Sequence, residues 1–267
     1  MDLSGIKLVV ADMDGTLLNS RHEVSREFFD LYHRLREKNV LFAAASGRQF
    51  DSIAQKLSPI DKEIIIIAEN GGFTVHRGKE IVSNPLEAGH KELILQELHR
   101  IEAAQAVLCA KNSAYLMPSS KPFLDHLKEY YTQFNFLEDL YAFNGEVMKI
   151  AVYHHLGSEE HIYPFVKHLE GELKVKVSGE FWVDLSHPDA NKGHALEIMQ
   201  QELGISRAET LVFGDYNNDL EMMGCADYSF AMANAHQNVL AAARYTTSSN
   251  DERGVEKVLE ALLQSLS

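Results

Sequence analysis

Residues 6–18 run Ile6-Lys7-Leu8-Val9-Val10-Ala11-Asp12-Met13-Asp14-Gly15-Thr16-Leu17-Leu18, an apolar stretch that breaks into two carboxylates. The β-branched run from Ile6 to Ala11 reads as a buried strand. Asp12 and Asp14 stand two apart, so both can project into the crevice beyond the strand's C-terminal end. Open α/β sheets bind ligands in that crevice. Gly15 then lets the backbone turn and approach a ligand closely. An isolated Asp-x-Asp has a plainer reading, a turn with a capping acid, so the surrounding chain has to decide.

Outward from this stretch the pattern alternates. Ser25 can cap a helix whose apolar face is Phe28, Leu31 and Leu35. Val40 to Ala45 is a second buried run, Phe50 to Leu57 a short helix stopped near Pro59, and Ile64 to Ile67 a third strand. Strand and helix in alternation predict an α/β fold, a doubly wound (Rossmann-like) parallel sheet with right-handed crossovers. The same grammar returns late in the chain. There is a helix over 192–203 ending at Gly204, a strand over 210–213, a helical turn over 217–223, a strand over 229–232, and helices over 239–243 and 254–266.

The middle reads differently. Helices are expected over 87–102, 122–134 and 158–169, and strands over 106–110, 115–117, 147–154, 175–177 and 181–185. Adjacent strands predict an α+β block with antiparallel pairs. The expected organisation is a core of residues 1–83 and 188–267, with an inserted α+β cap domain at 84–187. Tyr130, Tyr131, Phe134 and Phe136 are expected in the cap's own core. His154 and His155 are neighbours on an expected strand and should point to opposite faces, so they suggest no second metal.

The chain has 267 residues, with 25 Lys and Arg against 39 Asp and Glu, a net charge of −14. Hydrophobic residues make up 45% and charged residues 24%, the balance of a soluble globular chain. The acidic excess argues against a nucleic-acid backbone or an anionic membrane as partner. Apolar runs are far shorter than the roughly 20 residues of a spanning helix. No signal peptide is read at the N-terminus. Cys109 and Cys225 lack metal spacing and read as two lone thiols of a cytoplasmic protein.

Three more strand ends carry chemistry. Ser46-Gly47-Arg48 offers a hydroxyl and a backbone N–H at a helix start, which suits an oxyanion. Lys192 opens a helix, where a cation opposes the dipole and gains only by facing an anion. Asp215 and Asp219, four apart with Asn218 between, look like a hard-cation site of oxygen ligands. Each has a bland alternative as a cap or a solvated side chain. Parallel-sheet logic brings all four ends to one edge, and acids, hydroxyl, cation and N–H donors together suit phosphoryl transfer.

These residues resemble the haloacid dehalogenase superfamily, and more narrowly its Cof-type phosphatases with a large type IIB cap, close to bacterial sugar-phosphate phosphatases. Asp12 to Thr16 matches the first motif, Ser46 the second, Lys192 the third, and Gly214-Asp215 with Asn218-Asp219 the fourth. Glu69-Asn70-Gly71, Met232-Ala233-Asn234-Ala235 and Asn250-Asp251-Glu252 with Gly254-Val255 also look like that branch. The resemblance implies that Asp12 is a nucleophile forming an aspartyl-phosphate and that Asp14 is the general acid and base. Asp12, Asp14 through its carbonyl, Asp215 and Asp219 would hold Mg2+. Lys192, Met13, Ser46, Gly47 and Asn218 would hold the phosphate. Arg48, Asn70 and Lys149 are candidates for substrate contact. A dehalogenase lacks the second acid, so Asp14 favours phosphate monoesters of small metabolites, and the resemblance implies sugar phosphates. A phosphomutase on the same core and a phosphometabolite-binding protein without turnover are the rival readings. The expected partner is a small phosphorylated metabolite, and the expected state a monomer or weak homo-oligomer.

Overall fold

The computed structural model describes residues 1–128, 130–131 and 133–266. In chain order the first elements are β1 (Leu8–Asp12), α1 (Arg26–Glu37), β2 (Leu41–Ala45), α2 (Phe50–Lys56), β3 (Ile65–Ala68), β4 (Phe73–His76) and β5 (Lys79–Ser83). Then follow α3 (Ala88–Leu98), β6 (Gln105–Ala110), β7 (Ala114–Leu116), α4 (Lys121–Leu127), β8 (Phe134–Phe136), β9 (Val147–Tyr153), α5 (Ser158–His161), α6 (Tyr163–Val166), β10 (Lys174–Gly179) and β11 (Trp182–Ser186). The chain ends with α7 (Lys192–Leu203), β12 (Thr210–Gly214), α8 (Leu220–Met223), β13 (Tyr228–Ala231), α9 (Gln237–Ala242), β14 (Tyr245–Thr246) and α10 (Gly254–Ser265). By contacts the chain divides into two units. One comprises residues 1–47, 53–82 and the chain from Asn191 onward; the other comprises Arg48–Ser52 and Ser83–Ala190.

The first unit is built on an eight-stranded sheet in the order β14-β13-β12-β1-β2-β3-β4-β5. From β14 to β3 every pairing is parallel, with Leu8 opposite Leu41 on one side and Thr210 on the other. All five residues of β1 are buried, as both faces of a parallel strand must be. Leu8 and Val10 pack on Leu196 and Met199 of α7, while Phe28 of α1 meets Phe42 of β2 edge-on at 5.0 Å. Ser25 caps α1, its hydroxyl accepting from the Phe28 N–H.

One part of this sheet departs from the expectation. β4 runs antiparallel to β3, and β4 and β5 form a hairpin at the sheet's edge. Its turn is Arg77-Gly78, both with positive φ, the pairing that a two-residue hairpin requires. The charged start of β5, Lys79 and Glu80, hides the strand from an apolar-run reading.

The second unit holds a six-stranded sheet in the order β10-β11-β9-β6-β7-β8. Its pairs are antiparallel except β7 with β8. Ile150, Val152, Val183 and Leu185 pack with Ile94, Leu95 and Leu98 of α3; Val107, Cys109, Ala151 and Trp182 pack with Phe123 and Leu127 of α4.

Here three expected helices shorten. The first stops at Leu98, before Ala103 with φ 60°. The second stops at Leu127, and Phe134 opens β8; Glu129 and Thr132 of that expected helix lie outside the described residues. The third breaks around Ile162, before Pro164, which has no N–H to continue the ladder. Of the four expected core aromatics, Tyr131 is buried, but Tyr130 and Phe136 are exposed and Phe134 is half-buried. His154 and His155 lie past the end of β9, and their rings stack at 5.1 Å instead of pointing apart. Both cysteines are free and buried. Among the described residues no helix is long and apolar enough to cross a membrane.

Candidate active site

Four neighbouring parallel strands, β12, β1, β2 and β3, deliver Asp215, Asp12, Ser46 and Asn70 at or just beyond their C-terminal ends. Asp12 closes β1 and is buried, whereas the Asp14 side chain, two residues on, keeps 39% of its surface in water. The chain between them curls tightly, since the Met13 carbonyl accepts from the N–H groups of Thr16 and Leu18. Gly15 has φ +78°, and any Cβ there would run into the Asp215 carboxylate. Only glycine allows the turn to lie this close to the acid.

Lys192 starts α7, whose N-terminus Asn191 caps by accepting from the His194 N–H at 2.7 Å. The lysine is fully buried. Its Nζ donates to Asp12 Oδ1 and, at 2.6 Å, to Asp219 Oδ1. Asp219 Oδ2 accepts from the N–H groups of Asp215 and Tyr216 at 2.9 and 3.1 Å. Asp219 therefore fixes both the lysine and the turn after β12. Asp215 Oδ1 accepts from Thr16 Oγ1 at 3.0 Å.

The electrostatics follow from crowding. Burial, reinforced by Asp219 and Asp215, drives the Asp12 carboxyl well above the usual carboxylate range, against the pull of Lys192. Asp215 is pushed up to about 6 by burial and by Asp219. Burial alone would lower the Lys192 ammonium, but the charges of Asp12 and Asp219 outweigh it and hold the proton on.

Oxygens of Asp12, Asp215 and Asp219 all lie within 4.8 Å of one another. The Asp14 carboxylate is not in that group. Were all three acids ionised, the one ammonium would leave two negative charges unbalanced in a shielded space. An oxygen-only donor set with that surplus fits a hard divalent cation, which would return Asp12 and Asp215 to their ionised forms.

The oxyanion side is assembled by neighbouring loops. The Asn70 N–H donates to the Ser46 carbonyl at 2.9 Å, and Asn218 Nδ2 donates to Asn70 Oδ1 at 3.0 Å. A Cβ on Gly47 would press on the Asn70 amide at 3.1 Å. Glu69, Asn70 and Gly71 all carry positive φ, and Gly71 abuts the Asn191 backbone. Ser46, Gly47, Asn70 and Asn218 thus form one group beside the acids.

Two predicted residues stand in the second unit. Arg48 is buried, with Nη1 3.5 Å from Ser52 Oγ. Lys149 is buried in β9 and donates to Asp184 Oδ2 at 3.1 Å.

Sequence reasoning gave no role to Thr16 or His22. Thr16 lies inside the first motif and was readable there as a donor. His22 has φ 57° and places Nδ1 3.2 Å from Asp14 Oδ1, with its carbonyl held by Lys56 Nζ at 2.7 Å. No spacing rule announces that contact.

Comparison with known proteins agrees with this geometry. The profile of the haloacid dehalogenase-like hydrolases matches residues 9–259. A 5-amino-6-(5-phospho-D-ribitylamino)uracil phosphatase of Escherichia coli (strain K12) is 33% identical over 271 residues, covering 97% of each chain. An HMP-PP phosphatase of Cronobacter sakazakii is 30% identical over 240 residues, 88% of this chain and 87% of its own. Among solved structures, the subclass IIB sugar phosphatase BT4131 shares the fold with a TM-score of 0.83 at 20% identity, covering 96% of this chain and 98% of its own. A family profile spanning nearly the whole chain, and a relative at one-third identity along its length, lead to the same conclusion: this chain belongs to the haloacid dehalogenase-like hydrolase family, as one of its phosphatases.

Proposed function

We propose that this site hydrolyses phosphate monoesters of small metabolites, sugar phosphates foremost, through a phosphoenzyme on Asp12. The observation that carries the reading is the contrast between the two acids of the first motif. Asp12 is buried against Lys192, whereas the Asp14 carboxylate reaches water. One suits covalent attack, the other proton traffic.

A carboxylate oxygen of Asp12 forms the bond to phosphorus as the bond to the ester oxygen breaks. The Asp14 proton goes to that oxygen, and the alcohol leaves. A water then attacks phosphorus, giving its proton to Asp14 and releasing inorganic phosphate and the free Asp12 carboxylate. Ser46, the N–H groups of Met13 and Gly47, Lys192 and Asn218 are assigned to the phosphoryl oxygens. Mg2+ would be held by Asp12, Asp215 and the carbonyl of Asp14, and when bound it neutralises charge on the transferring group. Both oxygens of Asp219 already accept hydrogen bonds, so its contact with the ion is assigned through water. Arg48, Asn70 and Lys149 remain the substrate-contact candidates, and the division at 84–187 the proposed cap.

The named substrate of the Escherichia coli relative carries a 5-phosphoribityl chain, which supports a polyol or sugar phosphate here. The named substrate of the Cronobacter sakazakii relative differs, so the family's core chemistry is compatible with several leaving groups. The test is phosphate release from pentose, hexose and ribityl phosphates and nucleotides, with Mg2+ and with EDTA. Release from sugar or ribityl phosphates that stops in EDTA is expected. Release confined to nucleotides, or unaffected by EDTA, would overturn the substrate class or the metal, respectively.

A further inference from the structure

Asp14 lies beyond β1, on a loop that runs from Met13 to α1. Local hydrogen bonds curl residues 12–18, but three of the loop's backbone groups find partners more than 200 residues away. Asn234 Nδ2 donates to the Gly15 carbonyl at 2.8 Å. Asn250 Nδ2 donates to the Leu18 carbonyl at 2.8 Å. The Ser20 N–H donates to Asp251 Oδ1 at 2.8 Å. The clamp is itself tied together, because the Asn250 N–H donates to Asn234 Oδ1 at 3.1 Å. Asn234 therefore uses both ends of its amide. A carbonyl on one side and an N–H on the other fix which end is which. Its target, Gly15, is the residue next to Asp14 and the one packed against Asp215.

The geometry points to Asn234 and Asn250 as positioning residues that hold the Asp14 turn in register with the buried acids. This rests on the reading of Asp14 as the proton donor. It gives a task to two sequence stretches, 232–235 and 250–255, that the chemistry above leaves unused.

The substitution that isolates the effect is Asn234→Asp, which keeps the acceptor for the Asn250 N–H but turns the donor facing Gly15 into an acceptor. Asn250→Asp does the same at Leu18. A displaced Asp14 carboxyl harms the step that needs its proton, so with Mg2+ kept saturating for each variant the loss depends on the leaving group. kcat/KM is measured for ribose 5-phosphate, whose alkoxide needs a proton, and for p-nitrophenyl phosphate, whose phenolate does not. Asn234→Asp should cost about ten-fold or more on the first and less than about three-fold on the second. Equal losses on both, or none, would overturn the positioning role, since a mere loss of folded protein lowers both alike. Asn250→Asp should repeat the split if Asn234→Asp folds poorly. Asp14→Asn, run alongside, separates the two ideas. If it shows the same split and the asparagine variants do not, the clamp fails alone; if it shows no split, the reading of Asp14 itself fails.

Discussion

Each unit of the molecule buries a lysine against acid, and the two sites differ in their charge balance. Lys192 is shut away between Asp12 and Asp219, with Asp215 beside them. Lys149 sits mid-strand in β9 and is matched by Asp184 on β11. Taking an ammonium out of water costs several kcal/mol in either place. In the second unit the Lys149 ammonium and the Asp184 carboxylate offset each other one for one. In the first, the acids outnumber the cation, and the remaining field can be quenched only by protons or by another cation. Surplus charge, rather than buried charge as such, distinguishes a place built for chemistry from one built to hold strands together.

The contrast can be broken most severely at Asp12. Asp12→Asn should lower turnover by about four orders of magnitude while leaving the fold intact, as phosphate release and circular dichroism would show. Undiminished turnover would remove the covalent step. Lys192→Met comes next. It strands three carboxylates and should cost about 3–5 kcal/mol by urea titration in EDTA, with part recovered on adding Mg2+. The second unit sharpens the comparison. Lys149→Met alone should cost about 3 kcal/mol, but Lys149→Met with Asp184→Leu should return to within about 1 kcal/mol of the parent, because a balanced pair can be replaced by apolar groups.

The smallest effect is on pH dependence. Asp215 rises from 3.8 to about 6 on folding, chiefly through burial. A raised acid favours the folded state when protonated, so its contribution is full below about 4 and is lost as pH rises through about 6. The metal-free protein should therefore lose thermal stability between pH 4 and 7 at this site, and saturating Mg2+ should flatten that slope. A slope identical with and without Mg2+ would contradict the assignment of Asp215 to the ion.

The legible and illegible parts of the sequence separate along physical lines. β1, β2, β3 and β12 are buried on both faces, so each reads as an unbroken apolar run, and the residue after each run is where a parallel sheet places its chemistry. Asp12, Ser46 and Asp215 were legible for that reason. The β4–β5 hairpin was not, because an edge strand with charged residues carries no such run. The helices of the second unit were overextended because apolar spacing marks a face and not where a turn or Pro164 interrupts it. The partners of Asp14, Gly15 and Leu18 were invisible, since His22, Asn234 and Asn250 respectively reach them through loops whose course only the folded chain determines.

The central position of β1 also bears on how the chain is made. One side of β1 pairs with β2, a few dozen residues on, but the other pairs with β12, about two hundred residues later. A ribosome therefore extrudes most of the polypeptide before that edge acquires its neighbour, and until then the apolar residues Leu8 to Ala11 lie on an unpaired strand edge. A nascent chain halted before Thr210 should be captured by chaperones or aggregate, and it should be catalytically silent, because Asp215, Asp219 and the Asn234 clamp are all translated after Asp12 has waited longest for them.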